Sequence, residues 1–130
     1  MLTAGAIMTP TLVTVRPDVS IEEAIEILLR EQISGLPVLD EDDRLIGLIT
    51  EFALLAVAYD RRVTNHTVSQ HMTRDLITVD VDDPVSRVAD LCIVHRVRRV
   101  PVIKDGRMVG LIARRDVLRA LVESPTACTV

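Results

Sequence analysis

Residues 3–39 of this 130-residue chain repeat as residues 67–103, displaced by 64 positions. Met8-Thr9 falls on Met72-Thr73, Leu12 on Leu76, Thr14-Val15 on Thr78-Val79, Asp18 on Asp82, and Pro37-Val38 on Pro101-Val102. One residue is lost at the next turn, where DEDDR (40–44) becomes KDGR (104–107). A displacement of 63 then lays Gly47-Leu48-Ile49 over Gly110-Leu111-Ile112. Such self-similarity constrains the fold more tightly than composition, because whatever one copy folds into, the other must be able to adopt. A unit of about 60 residues buries too little to be secure alone. The two copies are therefore expected to share one core.

Each copy reads strand, helix, strand, strand, helix. LVTV (12–15) and LITV (76–79) are β-branched runs suited to strands. Ser20 followed by Glu23 predicts a capping box ahead of a helix whose apolar face is Ile21, Ala24, Ile25 and Leu28. In the second copy Asp83 is expected to cap and Pro84 to take the first helical position, with Val85, Val88, Ala89 and Cys92 facing inward. LPVLDEDDRLIGLI (36–49) and VPVIKDGRMVGLI (100–112) read as hairpins, the turn signal being strongest at Asp105-Gly106. The last helices span 51–60 and 115–123. The first of these carries FALLAVAY, apolar on every face, which calls for burial on more than one side and points to a homodimer, the alternative being that the linker over 61–70 folds back over it. The domain organisation that follows is a first repeat over 1–60, a linker over 61–70, a second repeat over 71–123 and a tail over 124–130.

The chain has 15 basic and 19 acidic residues, a formal charge of −4, which argues against general nucleic-acid binding. Basic residues nevertheless outnumber acidic ones between Arg87 and Arg119. An acidic chain with one basic side is suited to a small anion. Cys92 lies in a helical pattern and Cys128 in the tail, so a disulfide is not expected and a reducing, cytoplasmic setting fits. No signal peptide and no run of the ~18–20 apolar residues needed to cross a bilayer is present, so no membrane association is expected. With aromatic residues at only 2%, a planar ligand would have to be held by aliphatic side chains.

The two ordered sets, each with Met-Thr near its start, Pro-Val after the first helix and a Gly-x-x-Thr/Ser-x-x-Asp-like element, resemble a pair of cystathionine-β-synthase-type (CBS) domains, a Bateman module. The resemblance covers residues 3–121. It implies an α+β fold of two pseudo-symmetric β-α-β-β-α repeats packed sheet to sheet. It further implies ligand-sensing clefts between the copies that take AMP, ADP, ATP or S-adenosylmethionine, signalling to a partner protein or within a dimer. No cofactor is required by such a module. No nucleophile–base pair, metal constellation or phosphate-binding Gly-x-x-x-x-Gly-Lys loop points to an enzyme.

The Gly-containing element differs between the copies in a complementary way. GLITEFALL (47–55) keeps Thr50 but has Ala53, whereas GLIARRDVL (110–118) has Ala113 but keeps Asp116. The resemblance makes Asp116 the acceptor for a ribose diol and Thr78 a hydroxyl on the copy's first strand. Arg114 and Arg115 precede Asp116 at a strand-to-helix junction, where the helix dipole favours an anion. Val79, Val100 and Val102 are candidates to wall the base. In the first copy Thr14 and Thr50 hold the matching hydroxyl positions, but Ala53 removes the ribose acceptor. By the same resemblance Arg98 and Arg99 reach the phosphate held by the other copy. An alternative is a dimerisation module whose sites have decayed, which the paired losses at Ala53 and Ala113 favour. Asp80, Asp82 and Asp83 are read as a solvated loop, His66, His71 and His95 as surface residues, and Met8 and Met72 as packing residues.

Overall fold

A computed structural model describes residues 1–10, 13–60 and 65–124. Leu12, at the head of the first expected strand, and Cys128 lie outside the described residues, as do parts of the expected linker and tail. The chain divides into two units, Met1–Thr11 with Ile77–Val130, and Leu12–Leu76. The start of each copy thus belongs to the unit built mainly by the other copy. Each unit has its own hydrophobic cluster, in place of the single shared core expected from the size of a copy.

The unit formed by Met1–Thr11 and Ile77–Val130 contains a four-stranded sheet. Its strands are β1 (Thr9–Pro10), β4 (Val79–Asp80), β5 (Arg99–Lys104) and β6 (Arg107–Ala113), in the order β1-β6-β5-β4. The β5–β6 hairpin turns at Asp105 and Gly106, both in the left-handed region at φ 52 and 80, the backbone that a tight two-residue turn requires. β4 runs parallel to β5, with Val79 opposite Val102. Helices α4 (Val85–Val94) and α5 (Arg114–Glu123) cover this sheet's apolar positions through Val88, Ala89 and Val117. A short helix the sequence did not announce, α1 (Ala4–Ile7), lies against loop 81–83, its Ala4 amide donating to Asp83 O at 2.7 Å and its Gly5 amide to Val81 O at 2.9 Å.

The unit Leu12–Leu76 repeats this plan with fewer formal strand residues. β2 (Gly35–Leu39) and β3 (Leu45–Thr50) form the hairpin, while Val15 bridges to Val38 on one side and Thr73 to Leu48 on the other. Thr73 is displaced by 64 residues from Thr9, and Leu48 by 63 from Leu111, so the two bridges are counterparts. A 3-10 turn at Val68–Gln70 stands where α1 stands in the other unit. Helices α2 (Ile21–Glu31) and α3 (Glu51–Tyr59) complete it. Ile21, Ala24 and Leu28 are buried as their spacing predicts. Among the described residues of LVTV only Val15 pairs, as a single bridge to Val38, and of LITV only Val79 lies in a strand, β4, at the edge of its sheet.

Helix starts follow local chemistry, with one correction. Ser20 Oγ accepts the Glu23 amide at 3.1 Å. In the second copy Pro84, not Asp83, is the capping residue: its extended backbone (φ −70, ψ 153) matches that of Ser20 (φ −69, ψ 152). Asp83 instead accepts the Asp80 amide at 2.8 Å and pairs with Arg87 at 3.4 Å, closing the loop that precedes the helix. Among the described residues no helix is long and apolar enough to cross a membrane.

A recurrent close contact joins the opening segment of each copy to the opposite hairpin. A Cβ placed on Gly110 would collide with Met8 Sδ and lie 3.0 Å from Thr9 O, and one on Gly47 would collide with Met72 Sδ. The glycines of GLIT and GLIA are therefore required by the methionine that crosses them. Gly110→Ala is expected to lower unfolding free energy by ~1–3 kcal/mol in urea titrations, and by less when Met8→Ala is already present, since the overpacked neighbour is then gone.

The first hairpin turn is held by Asp40, whose Oδ1 accepts the amides of Asp42 and Arg44, both at 2.9 Å. The Arg44 amide is the main reason its carboxyl sits below the ordinary aspartate range; desolvation, next in size, works against it, and the Asp42 amide and the charges of Arg44 and Arg16 add to the lowering. A depressed folded-state pKa gives stability that is complete above the unfolded-state value and is lost as pH falls through the folded-state value. The stability difference between the native chain and Asp40→Ala should therefore be largest near pH 7 and shrink by about pH 3, measured by urea unfolding at each pH.

Candidate functional site

The junction where β6 passes into α5 is built by three consecutive constraints. Gly110 must be bare to pass Met8, Ile112 is fully buried, and Ala113 then adopts an extended backbone (φ −96, ψ 161) that opens the helix. One turn on, Asp116 Oδ2 accepts the Ala113 amide at 2.8 Å, and Oδ1 lies 3.7 Å from Arg119 Nη1. The Asp116 side chain retains 15% exposure. A carboxylate offers about four acceptor positions, so one backbone amide leaves capacity for further donors.

The corresponding junction in the first copy is made from the opposite half of the same device. Thr50 Oγ1 accepts the Ala53 amide at 3.2 Å and caps α3. In a full capping box the first residue's hydroxyl takes the later amide, and the later residue's carboxylate takes the first amide. Here Thr50 keeps the first bond and Asp116 keeps the second. The complementary losses at Ala53 and Ala113 therefore have a local structural meaning: each helix start keeps one of two interchangeable ties.

The other residues singled out from sequence fall into distinct environments. Arg98 and Arg115 are exposed and form no ion pair or side-chain hydrogen bond among the described residues. Arg99 is half-buried at the start of β5, opposite Ala113. The Arg114 guanidinium donates to the carbonyls of Arg96 and Val97 at 2.8 and 2.9 Å. Thr78 is half-buried one residue before β4, and Thr14 holds the same place before Val15. Val79, Val100 and Val102 are core residues, at 3%, 0% and 0% exposure. Their side chains pack with Val88 and Ala89 of α4 and Val117 of α5. The structure thus brings together Arg98, Arg99 and the 113–116 turn, with the valines behind them.

Burial pushes the Cys92 thiol up, and the charge of Arg114 pulls it the other way. Arg119, which steadies Asp116, was not singled out from sequence, although its spacing of three on one helix face is a signal for such a pair. His66 and His71 are not free surface residues. They are partly buried, and His66 Nδ1 lies 2.9 Å from His71 Nε2. With centroids 5.1 Å apart, the rings meet edge to edge in nearly one plane and share a hydrogen bond instead of stacking face to face. Asp80 and Asp83 spend oxygens on amides of their own loop, and no group of three or more metal-ligating side chains occurs among the described residues.

Known proteins carry the same pattern. The CBS domain family is matched over residues 4–60 and again over 68–123. An uncharacterized protein of Methanocaldococcus jannaschii, MJ1225, is 31% identical over 88% of this chain and 41% of its own length. The inosine-5'-monophosphate dehydrogenase of the same organism is 32% identical over 89% of this chain and 23% of the enzyme. The chain therefore spans less than half the length of either relative. Among solved structures, CBSX2 in complex with AMP superposes with a TM-score of 0.85 at 30% identity, covering 95% of this chain and 98% of that one. The CBS domain pair of MJ0100, in complex with 5′-methylthioadenosine and S-adenosyl-L-methionine, superposes with a TM-score of 0.82 at 30% identity and the same coverage.

Proposed function

The chain belongs to the CBS domain family, and from that premise we propose that it is a regulatory module that binds an adenosine-containing ligand of the AMP, ADP, ATP or S-adenosylmethionine class at the β6–α5 junction. The observation that carries this reading is the Asp116 carboxylate. It is held in place by the Ala113 amide, remains partly exposed, and stands at a helix N-terminus beside exposed Arg115. A ribose diol needs a fixed acceptor of this kind, and a phosphate needs cations and helix amides nearby. The AMP complex of CBSX2 and the S-adenosylmethionine complex of MJ0100 support the ligand class. Ala53 leaves the first copy's junction without a carboxylate at the position matching Asp116, and Glu51 stands where Arg114 stands, so the second copy is the stronger site.

Regulation requires that the ligand favour one arrangement of the protein over another. We assign the transmitting surface to a homodimer contact through α3 and α5. Phe52, Leu55 and Tyr59 are 81%, 69% and 91% exposed on α3, and Leu118 and Val122 on α5 are 63% and 78% exposed. Leu55 and Leu118, like Tyr59 and Val122, are counterparts in the repeat. A second reading, a dimerisation module with decayed sites, draws on these same faces and on the share of Asp116 already spent on its own backbone.

Calorimetric titration with AMP, ADP, ATP and S-adenosylmethionine separates the two. The ligand-sensing reading expects saturable heat with at least one, and at least about a tenfold weaker dissociation constant for Asp116→Ala, the size of one lost charge-assisted hydrogen bond. No heat with any of the four, from a folded dimer, would leave the second reading. For the dimer itself, Phe52→Glu with Leu55→Glu should give a monomer by light scattering with an unchanged circular-dichroism spectrum. A monomeric native chain would refute the dimer.

A further inference from the structure

Arg114 has a structural position that phosphate binding does not explain. Its Nε donates to Val97 O at 2.9 Å and its Nη2 to Arg96 O at 2.8 Å. These carbonyls follow the end of α4, and Arg96 itself is in the left-handed region at φ 54. The end of a helix leaves carbonyls without amide partners, and a cation there is favoured both as a donor and by the helix dipole. The main chain closes the same ring, since the Arg114 amide donates to Arg98 O at 3.3 Å and Arg99 lies opposite Ala113.

The first copy has this backbone but not the side-chain tie. Gln32, the counterpart of Arg96, is also left-handed at φ 55, and the Glu51 amide donates to Ser34 O at 2.9 Å. Residue 51, however, is a glutamate, which has only acceptors and cannot bind carbonyls. The guanidinium bridge between the two segments is a property of the second copy alone.

We propose that Arg114 is a positioning residue: it latches loop 96–99, and with it Arg98, against the 113–116 turn, and does not itself hold the ligand. This rests on the ligand reading given above. The guanidinium spends its Nε–Nη2 edge on two carbonyls, the kind of paired edge with which arginine grips a carboxylate or phosphate. To turn that same edge to an anion it would have to release the loop. Arg98 and Arg115, exposed and without partners among the described residues, remain available for that task. Lysine preserves the charge of Arg114 but brings one point donor that cannot span both carbonyls in this geometry, so it separates the latch from a direct charge contact.

The test uses the full chain and AMP as probe. In ligand-free protein, Arg114→Lys and Arg114→Ala are expected to speed amide exchange at Arg96, Val97 and Arg98 by at least about threefold, with exchange in β2 and β3 unchanged. Arg114→Lys should weaken AMP binding by about fivefold, and Arg98→Ala should weaken it as well. The double variant should be no weaker than Arg98→Ala alone, because the latch acts through that residue. Unchanged exchange in Arg114→Lys, AMP binding equal to the native chain's, or effects that multiply in the double variant would each overturn the latch. If the native chain takes up none of AMP, ADP, ATP or S-adenosylmethionine, the ligand reading fails, and the exchange measurement alone then decides whether the latch exists.

Discussion

A methionine seated over a glycine, once in each unit, is the contact on which the rest of the structure depends. Met8 crosses Gly110, and Met72 crosses Gly47. The contact places the opening segment of each copy beside the hairpin of the other. The segment then delivers more than its methionine: Ala4 and Val68, both fully buried, join the two core clusters. Neither cluster is therefore complete from one copy's residues. Small cores are marginal, and a borrowed segment adds buried apolar area without lengthening either copy.

The same strands that pass beneath the methionines end at the helix junctions, so the packing contact also sets the position of the candidate site. There the two copies share a backbone and differ in chemistry. One junction presents the Thr50 hydroxyl and Glu51; the other presents the Asp116 carboxylate flanked by arginines. The starts of α3 and α5 each keep one side-chain tie, and either half of the capping box supplies it. Once the fold is secured by either half, the remaining positions are free to diverge in charge. The result is two junctions with one backbone plan and different charge.

Much of this was legible in the chain itself. The 64-residue displacement announced two like units, the Asp105-Gly106 turn announced a hairpin, and Ile21, Ala24 and Leu28 announced a buried helix face. Where sequence reasoning missed, the causes are physical. Pro84 and Asp83 are both good residues near a helix start, and only the backbone angles tell which one is the cap. His66 and His71 are five residues apart, a spacing with no regular meaning until the turn at 68–70 folds their rings together.

The sequence by itself determined that two copies of one strand–helix–hairpin–helix plan would form, because hydrophobic period, caps and turn residues are local properties that neighbouring side chains enforce. It also determined which junction carries a carboxylate three residues past the end of its strand, at Asp116 and not at Ala53. Only the tertiary structure decided that the copies exchange their opening segments, that Asp116 and Thr50 are halves of one capping device, and that Arg114 reaches back to the end of α4. Those outcomes depend on contacts between residues far apart in the chain, where packing space and unpartnered carbonyls select among several placements that local preference leaves equal.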